Sequence, residues 1–427
     1  MTQSTFADIA REIRKTITQH DEYIKKCLCF GAGEWVLSPL ARAAMSSLFY
    51  GRACGGERSV ENPFKPLNRT GTVYMEEIDS IAVSLLQKLF DARFIEYRCA
   101  TVTTANNVTL SAISEPQETI LALAPPIGHR DWATVDGFPG HRDQKIINMP
   151  FDEYLNVDVD AYADLMERFR PKAIVVGSAV TLFPYPIGAM KEIADEIGAK
   201  IMCDGAYLLG PVAGRLFPNP LNEGASVVTG STCKTLCGPK AGLILYNDPV
   251  LHKKIRSVIG AYVGGYNHAR IAAMAITIAE ISEFGRDFFT QTQVNAKTLA
   301  QALDSEGFDI VAKKKGYTSS NMIAMNASGL GGGNIVAREL EKVNILCDMV
   351  KLGRQEGYDG ITLGLSVVTR LGMKEKEMNE IAEFIRRTII DKENPEKIKS
   401  QVEFLRSSFD KVHYCFSQSI NDKYLKM

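Results

Sequence analysis

The chain has 427 residues, more than one hydrophobic core normally serves, so two or more structural units are expected. Apolar residues at 45% beside 23% charged ones describe an ordinary globular protein and exclude a disordered or fibrous one. A formal net charge of -1 removes any general electrostatic case for a nucleic-acid or anionic-membrane partner.

The opening segment to about Lys26 reads as an amphipathic helix that packs on another surface, such as a second subunit. It lacks the apolar centre of a signal peptide, and no apolar stretch approaches the ~20 residues of a membrane span. The cysteines are scattered, many in apolar runs as Cys203 is, which suits a reducing cytoplasm better than a disulfide framework. Residues 31–71 are loop-rich, punctuated by Gly55, Gly56, Pro63 and Pro66. From Thr72 to Phe90 a helical period puts Ile78, Ile81, Leu85, Leu86 and Leu89 on one face.

Strands and helices then alternate. Ala173–Val176 is a short apolar strand, and 187–197 a helix with Met190, Ile193, Ala194 and Ile197 inward, closed by Gly198. Residues 200–203 form the next strand, ending in Asp204, and 225–229 and Gly242–Tyr246 two more. This rhythm predicts a mostly parallel sheet covered on both faces. A helix-rich stretch over 268–303 leads to short strands at 308–311 and 322–325 and a helix near 379–389, which predict a smaller C-terminal α/β domain. The expected units are an N-terminal helical and loop segment (1–60), a large domain (61–295) and a small domain (296–427).

Residues 227–245, VVTGSTCKTLCGPKAGLIL, place Lys234 between two apolar strands. A lysine there loses solvation unless it is paired or neutralised. A Schiff base with an aldehyde cofactor is one use of such an amine. An exposed lysine in a strand-connecting loop is the other reading of this segment alone. Asp204 ends the strand IMCD at the sheet edge where open α/β folds bind ligands. A carboxylate there can pair with a pyridinium nitrogen and keep the ring an electron sink, or can simply cap a helix or turn. Strand–Asp followed by strand–Ser/Thr–x–Lys is the layout expected of a fold-type I pyridoxal-phosphate (PLP) enzyme.

From about residue 32 to 389 the chain resembles serine hydroxymethyltransferase. TGSTCKTLCGPKAGLIL is similar to that family's lysine segment ending H-K-T-L-x-G-P-R-G-G, and EIADEIGAKIMCDGAYLLGPVAGRLFPNP to its D-x-A-H segment. LLQKLFDARFIEYRCATVTTANN matches the stretch leading into the S-G-S-Q-A-N phosphate loop, and GITLGLSVVTRLGMKEKEMNEIAEFI follows its G-I-R-x-G-T…T-R-x-G block. The resemblance implies a large domain with a mostly parallel seven-stranded sheet, a smaller C-terminal α/β domain, and a cytoplasmic homodimer with shared active sites. It implies that Lys234 carries PLP, that Asp204 pairs with the pyridine nitrogen and that His129, in IGHRDW, stacks on the ring. Thr101 and Thr103 stand for the phosphate-loop serines, ahead of a helix starting near Ala105, with Val102 between them. Ser231 and Thr232 precede the lysine as phosphate-binding or gating hydroxyls, and Ser178 resembles the serine near the ring oxygen. Ala206 and Tyr207 complete the cofactor set, and Gly264 and Gly265 resemble the diglycine that reaches a neighbouring subunit's phosphate.

The departures are as informative. Cys233 replaces the histidine before the lysine, D-x-A-H has become Asp204-Gly205-Ala206-Tyr207, and Val102 replaces the loop glycine. The Y-A-E-G-Y segment with its catalytic glutamate is not recognisable, leaving Glu57 and Glu34 as loose candidates. The loop that helps hold folate reads APPIGH (124–129) and is shorter. Thr362 stands where the family's arginine clamps the substrate carboxylate, so Arg354 or Arg370 is the candidate replacement. The tail EFLRSSFDKVHYCFSQS extends past the usual end and looks like the subgroup that includes bacterial threonine transaldolases. The expected activity is PLP-dependent aldol or retro-aldol chemistry on a β-hydroxy amino acid or related amine, folate-independent. The alternatives are another PLP reaction (transamination, lyase chemistry, racemisation or decarboxylation) or a non-catalytic PLP-fold partner protein. No metal is expected.

Overall fold

The structure, a computed structural model, describes residues 5–52, 70–123, 132–353 and 357–416. Helix α1 (Phe6–Ile24) buries none of its residues, and Phe6, Ile9, Ile13 and Ile17 form an exposed apolar stripe along it. Strand β1 (Leu28–Cys29) and helix α2 (Pro39–Met45) follow. Helix α3 (Val73–Phe90) packs on the long helix α9 (His268–Ser305). Its buried stripe is Met75, Asp79, Ala82, Val83, Leu86, Leu89 and Phe90. Of the expected face, Leu86 and Leu89 are buried and Ile78 and Leu85 pack against the core, while Ile81 alone is exposed.

Seven strands make the large sheet: β2 (Phe94–Glu96), β3 (Thr119–Leu123), β4 (Lys145–Met149), β5 (Ala173–Val176), β6 (Lys200–Asp204), β7 (Val227–Ser231) and β8 (Gly242–Tyr246). Their order is β2-β8-β7-β6-β5-β3-β4, parallel from β4 to β7, with β8 and β2 antiparallel at one end. The period of two splits each strand between two cores. Leu121, Ile174, Val176, Ile201, Val228 and Leu243 face one, and Ile120, Ala122, Val175, Met202, Val227 and Ile244 the other. Helices α4 (Val102–Ile113), α5 (Val159–Phe169), α6 (Ile187–Asp195), α7 (Leu209–Ala213) and α8 (Pro249–Val258) connect and cover the strands.

Helix α9 runs unbroken for 38 residues, about 57 Å at 1.5 Å per residue. Roughly its first six turns join the large core through Ile271, Ile278 and Phe288, and its last turns join a second core through Ala296, Leu299 and Leu303. That second core lies on the antiparallel sheet β12-β13-β10-β9, made of β9 (Asp309–Ile310), β10 (Met322–Asn326), β12 (Asp348–Val350) and β13 (Gly360–Gly364). Strand β11 (Ile345–Leu346) pairs with β1, so Leu28 and Phe30 belong to this core. Helices α10 (Gly333–Lys342), α11 (Ser366–Arg370), α12 (Glu375–Ile389) and α13 (Pro395–Ser407) complete it. Among the described residues no helix is long and apolar enough to cross a membrane.

Candidate active site

The carboxyl ends of β6 and β7 bring Asp204 and Lys234 to one edge of the sheet. Lys234 opens a single 3-10 turn after β7 with φ at 55°, in the left-handed region that a β-carbon disfavours. Such a conformation costs about 1–3 kcal/mol and persists where surrounding packing enforces it, characteristically at functional sites. The turn is stapled from within. The Thr232 amide donates to Ala241 O at 3.1 Å, the Gly238 amide to Thr232 O at 2.8 Å, and the Thr232 hydroxyl to the Pro239 carbonyl. Lys234 Nζ sits 3.8 Å from the centroid of the Tyr207 ring, a cation–π contact.

Asp204 is 4% exposed and held at both oxygens. Oδ1 accepts the Ala206 amide at 2.8 Å and Oδ2 the Asn106 side-chain amide at 2.7 Å. Asn106 in turn accepts the Thr229 hydroxyl at 2.6 Å. Helix α4 thus fixes the carboxylate from the neighbouring layer. The helix begins three residues earlier than expected, with Thr101 as its N-cap accepting the Thr104 amide at 3.1 Å. The amides of Val102 and Thr103 head the helix without intrahelical partners, and Thr103 is exposed. Gly242 permits this approach, because a β-carbon there would collide with the Thr101 carbonyl.

The segment from Gly31 to Glu34 closes the site from the other side. A β-carbon on Gly33 would lie 3.6 Å from the Tyr207 hydroxyl, and one on Gly364, at the end of β13, 2.6 Å from Ala32 Cα. The Ala32 amide donates to Asp348 Oδ2 at 2.7 Å. Although Asp348 is exposed overall, desolvation pushes its carboxyl above the usual range, against the pull of the Ala32 and Gly33 amides and Lys234. Desolvation pushes the Glu34 carboxyl up too, and the Asp348 carboxylate adds to it.

Several expected residues have other roles. The Thr232 hydroxyl is committed to main-chain carbonyls and is not free for phosphate. The Ser231 hydroxyl lies 2.9 Å from Cys233 Sγ, and the Ser178 hydroxyl both donates to Val180 O and accepts the Val180 amide. Arg370, one of the two expected replacements, is packed inside the protein against α9. Its side chain is 0% exposed and paired at 3.4 Å with Glu280 on α9, equally buried. Thr362 is buried in β13 directly across from Asp348 of β12. Gly264 and Gly265 are exposed in the loop before α9. His129, Glu57 and Arg354 lie outside the described residues. Sequence reasoning missed Asn106 and Asp348. Asn106 occupies the place of the asparagine in S-G-S-Q-A-N and could have been found there, whereas only the β12–β13 pairing reveals Asp348.

A strained lysine, a braced carboxylate and a helix start with free amides fit an amine-reactive ring, its pyridine nitrogen and its phosphate. The family model for serine hydroxymethyltransferase matches residues 66–385. A serine hydroxymethyltransferase of Methanocella arvoryzae is 35% identical over 90% of this chain and 91% of its own. One of Thermoplasma volcanium is 36% identical over 98% and 99%. The crystal structure of L-threonine transaldolase from Pseudomonas fluorescens in the internal aldimine state superposes with a TM-score of 0.88. It covers 98% of this chain and 96% of its own at 23% identity, a likeness of fold. By the extent of these matches the chain belongs to the serine hydroxymethyltransferase family, as a PLP-dependent transferase or aldolase of the hydroxymethyl- and aldol-transfer kind.

Proposed function

We propose that this protein makes or breaks a carbon–carbon bond beside the amino group of a β-hydroxy amine, without folate. Bound PLP supplies an electron sink for the bond that breaks. Lys234 carries the cofactor, and its stapled left-handed turn holds Nζ over Tyr207. Asp204, braced by Asn106 and the Ala206 amide, holds a proton on the pyridine nitrogen. The first turn of α4, with Thr101, Val102 and Thr103, takes the phosphate dianion at a helix N-terminus. By the family resemblance, Gly264 and Gly265 would serve the neighbouring subunit's phosphate in a homodimer, and His129 would be the residue that stacks on the ring. Glu34 takes the proton from the substrate's β-hydroxyl, since a carboxyl pushed upward is a better base near neutral pH than an ordinary one.

The carrying observation is the meeting of Lys234 Nζ with Tyr207 at 3.8 Å, at the sheet edge where Asp204 is pinned. Folate independence rests on the short 124–129 loop and the unrecognisable Y-A-E-G-Y segment. The test is to incubate the holoenzyme with a panel of β-hydroxy amines and trap released aldehyde, with and without tetrahydrofolate. Aldehyde release that tetrahydrofolate does not change is the expected result. Release that requires tetrahydrofolate refutes folate independence. Exchange of the amino group with a keto acid and no aldehyde points to a transaminase.

A further inference from the structure

The wall contributed by β12 and β13 has the wrong chemistry for an anion. Asp348 pairs directly with Thr362 across the two strands, so both side chains stand on one face. Asp348 accepts the Ala32 amide, and the adjacent Gly33 lies against the Tyr207 hydroxyl. The Tyr207 ring carries Lys234 Nζ, so that face stands beside the reactive lysine, whose charge acts on Asp348. Thr362 is 3% exposed, and its hydroxyl has no hydrogen-bond partner among the described residues. The arginine expected at this position would grip a carboxylate through two parallel charge-assisted hydrogen bonds. Threonine offers one neutral donor, and the neighbouring Asp348 repels negative charge. Glu34, close enough to feel Asp348, adds to that repulsion.

Building on the proposed role of Lys234, we propose that Asp348 and Thr362 select substrates with no carboxylate beside the amine. An amino amide or an amino alcohol fits this wall. Its N–H or O–H donates to the Asp348 carboxylate, a charge-assisted bond, and its oxygen accepts from the Thr362 hydroxyl. The face excludes ordinary α-amino acids by like charge and admits their neutral counterparts, so discrimination comes from a repulsive element as much as an attractive one.

The test is titration of the holoenzyme with glycinamide, ethanolamine and glycine, following the visible absorbance of bound cofactor. Wild type is compared with Asp348→Asn, Thr362→Arg and Arg354→Ala. Asp348→Asn keeps an acceptor oxygen for the Ala32 amide while removing the charge, so the segment it anchors stays in place. Wild type is expected to bind the two neutral amines about tenfold or more tightly than glycine. Asp348→Asn should narrow that ratio by improving glycine, and Thr362→Arg should reverse it. A wild type that prefers glycine overturns the inference, and loss of that preference in Arg354→Ala would identify the arginine responsible. A ratio unchanged in Asp348→Asn overturns it as well. A protein with no visible cofactor band refutes the lysine assignment itself, and this inference with it.

Discussion

Replacing Asn106 with alanine removes a side chain that is 2% exposed and bonded at both ends. Its amide nitrogen donates to Asp204 at 2.7 Å, a bond to a charged group worth about 1.5–3 kcal/mol. Its oxygen accepts from Thr229 at 2.6 Å, a neutral bond worth about 1 kcal/mol. Thr229 is 0% exposed, so alanine leaves its hydroxyl without water to replace the lost partner. Together these terms predict a loss of about 2.5–4 kcal/mol in the cofactor-free protein, read from urea unfolding. The Asp204 carboxylate also loses its lateral brace, so cofactor affinity should fall, read by titrating apoprotein with PLP in the visible range. A stability loss under about 0.5 kcal/mol, the range of an uninvolved surface change, together with unchanged cofactor affinity, would refute the claim that α4 positions Asp204.

Two further outcomes follow from buried and crowded charge. Arg370→Ala should cost about 3–5 kcal/mol by leaving Glu280 buried and uncompensated, and the double change Glu280→Leu with Arg370→Met should recover most of it in urea unfolding. A stable Arg370→Ala protein with weakened substrate binding would instead return the arginine to the substrate site. The raised carboxyls of Glu34 and Asp348 mean that the folded state holds their protons longer than the unfolded state does. Their contribution is therefore full below the ordinary values of 4.5 and 3.8 and is lost as pH climbs through the raised ones. Urea midpoints of Glu34→Gln and Asp348→Asn should decline less steeply than wild type over that rise, and slopes identical to wild type would remove the claim that burial raises these carboxyls.

The large sheet was legible because its strands are continuous apolar runs closed by glycine or aspartate, as in AIVV and IMCD. Strand Gly242–Tyr246 has the expected limits, and the stretch from His268 proves to be one continuous helix. Local pattern was a weaker guide to which way a helix turns. Ile81 continues the apolar period of α3, yet it faces solvent at the margin of a stripe whose centre is Ala82, Leu86 and Leu89. Lys234 and Asp204 could be found from strand-end chemistry. Asp348 could not, since it belongs to a three-residue strand with no motif and gains its meaning only from Thr362 across the pairing. The surroundings of Arg370 were hidden for a different reason. The residue is a candidate only for its nearness to Thr362 in sequence, and nothing local announces its contact with Glu280, ninety positions away.

The central claim is that Lys234 bears the cofactor. The measurement is borohydride reduction of the purified holoenzyme followed by peptide mass spectrometry, in wild type and in Lys234→Ala. Wild type should yield a pyridoxyl group on the peptide containing Lys234, with the visible band lost on reduction. Lys234→Ala should remain folded and yield no pyridoxyl-lysine at any position. A reduced pyridoxyl-lysine recovered from Lys234→Ala, or wild-type label on another lysine, would contradict the account.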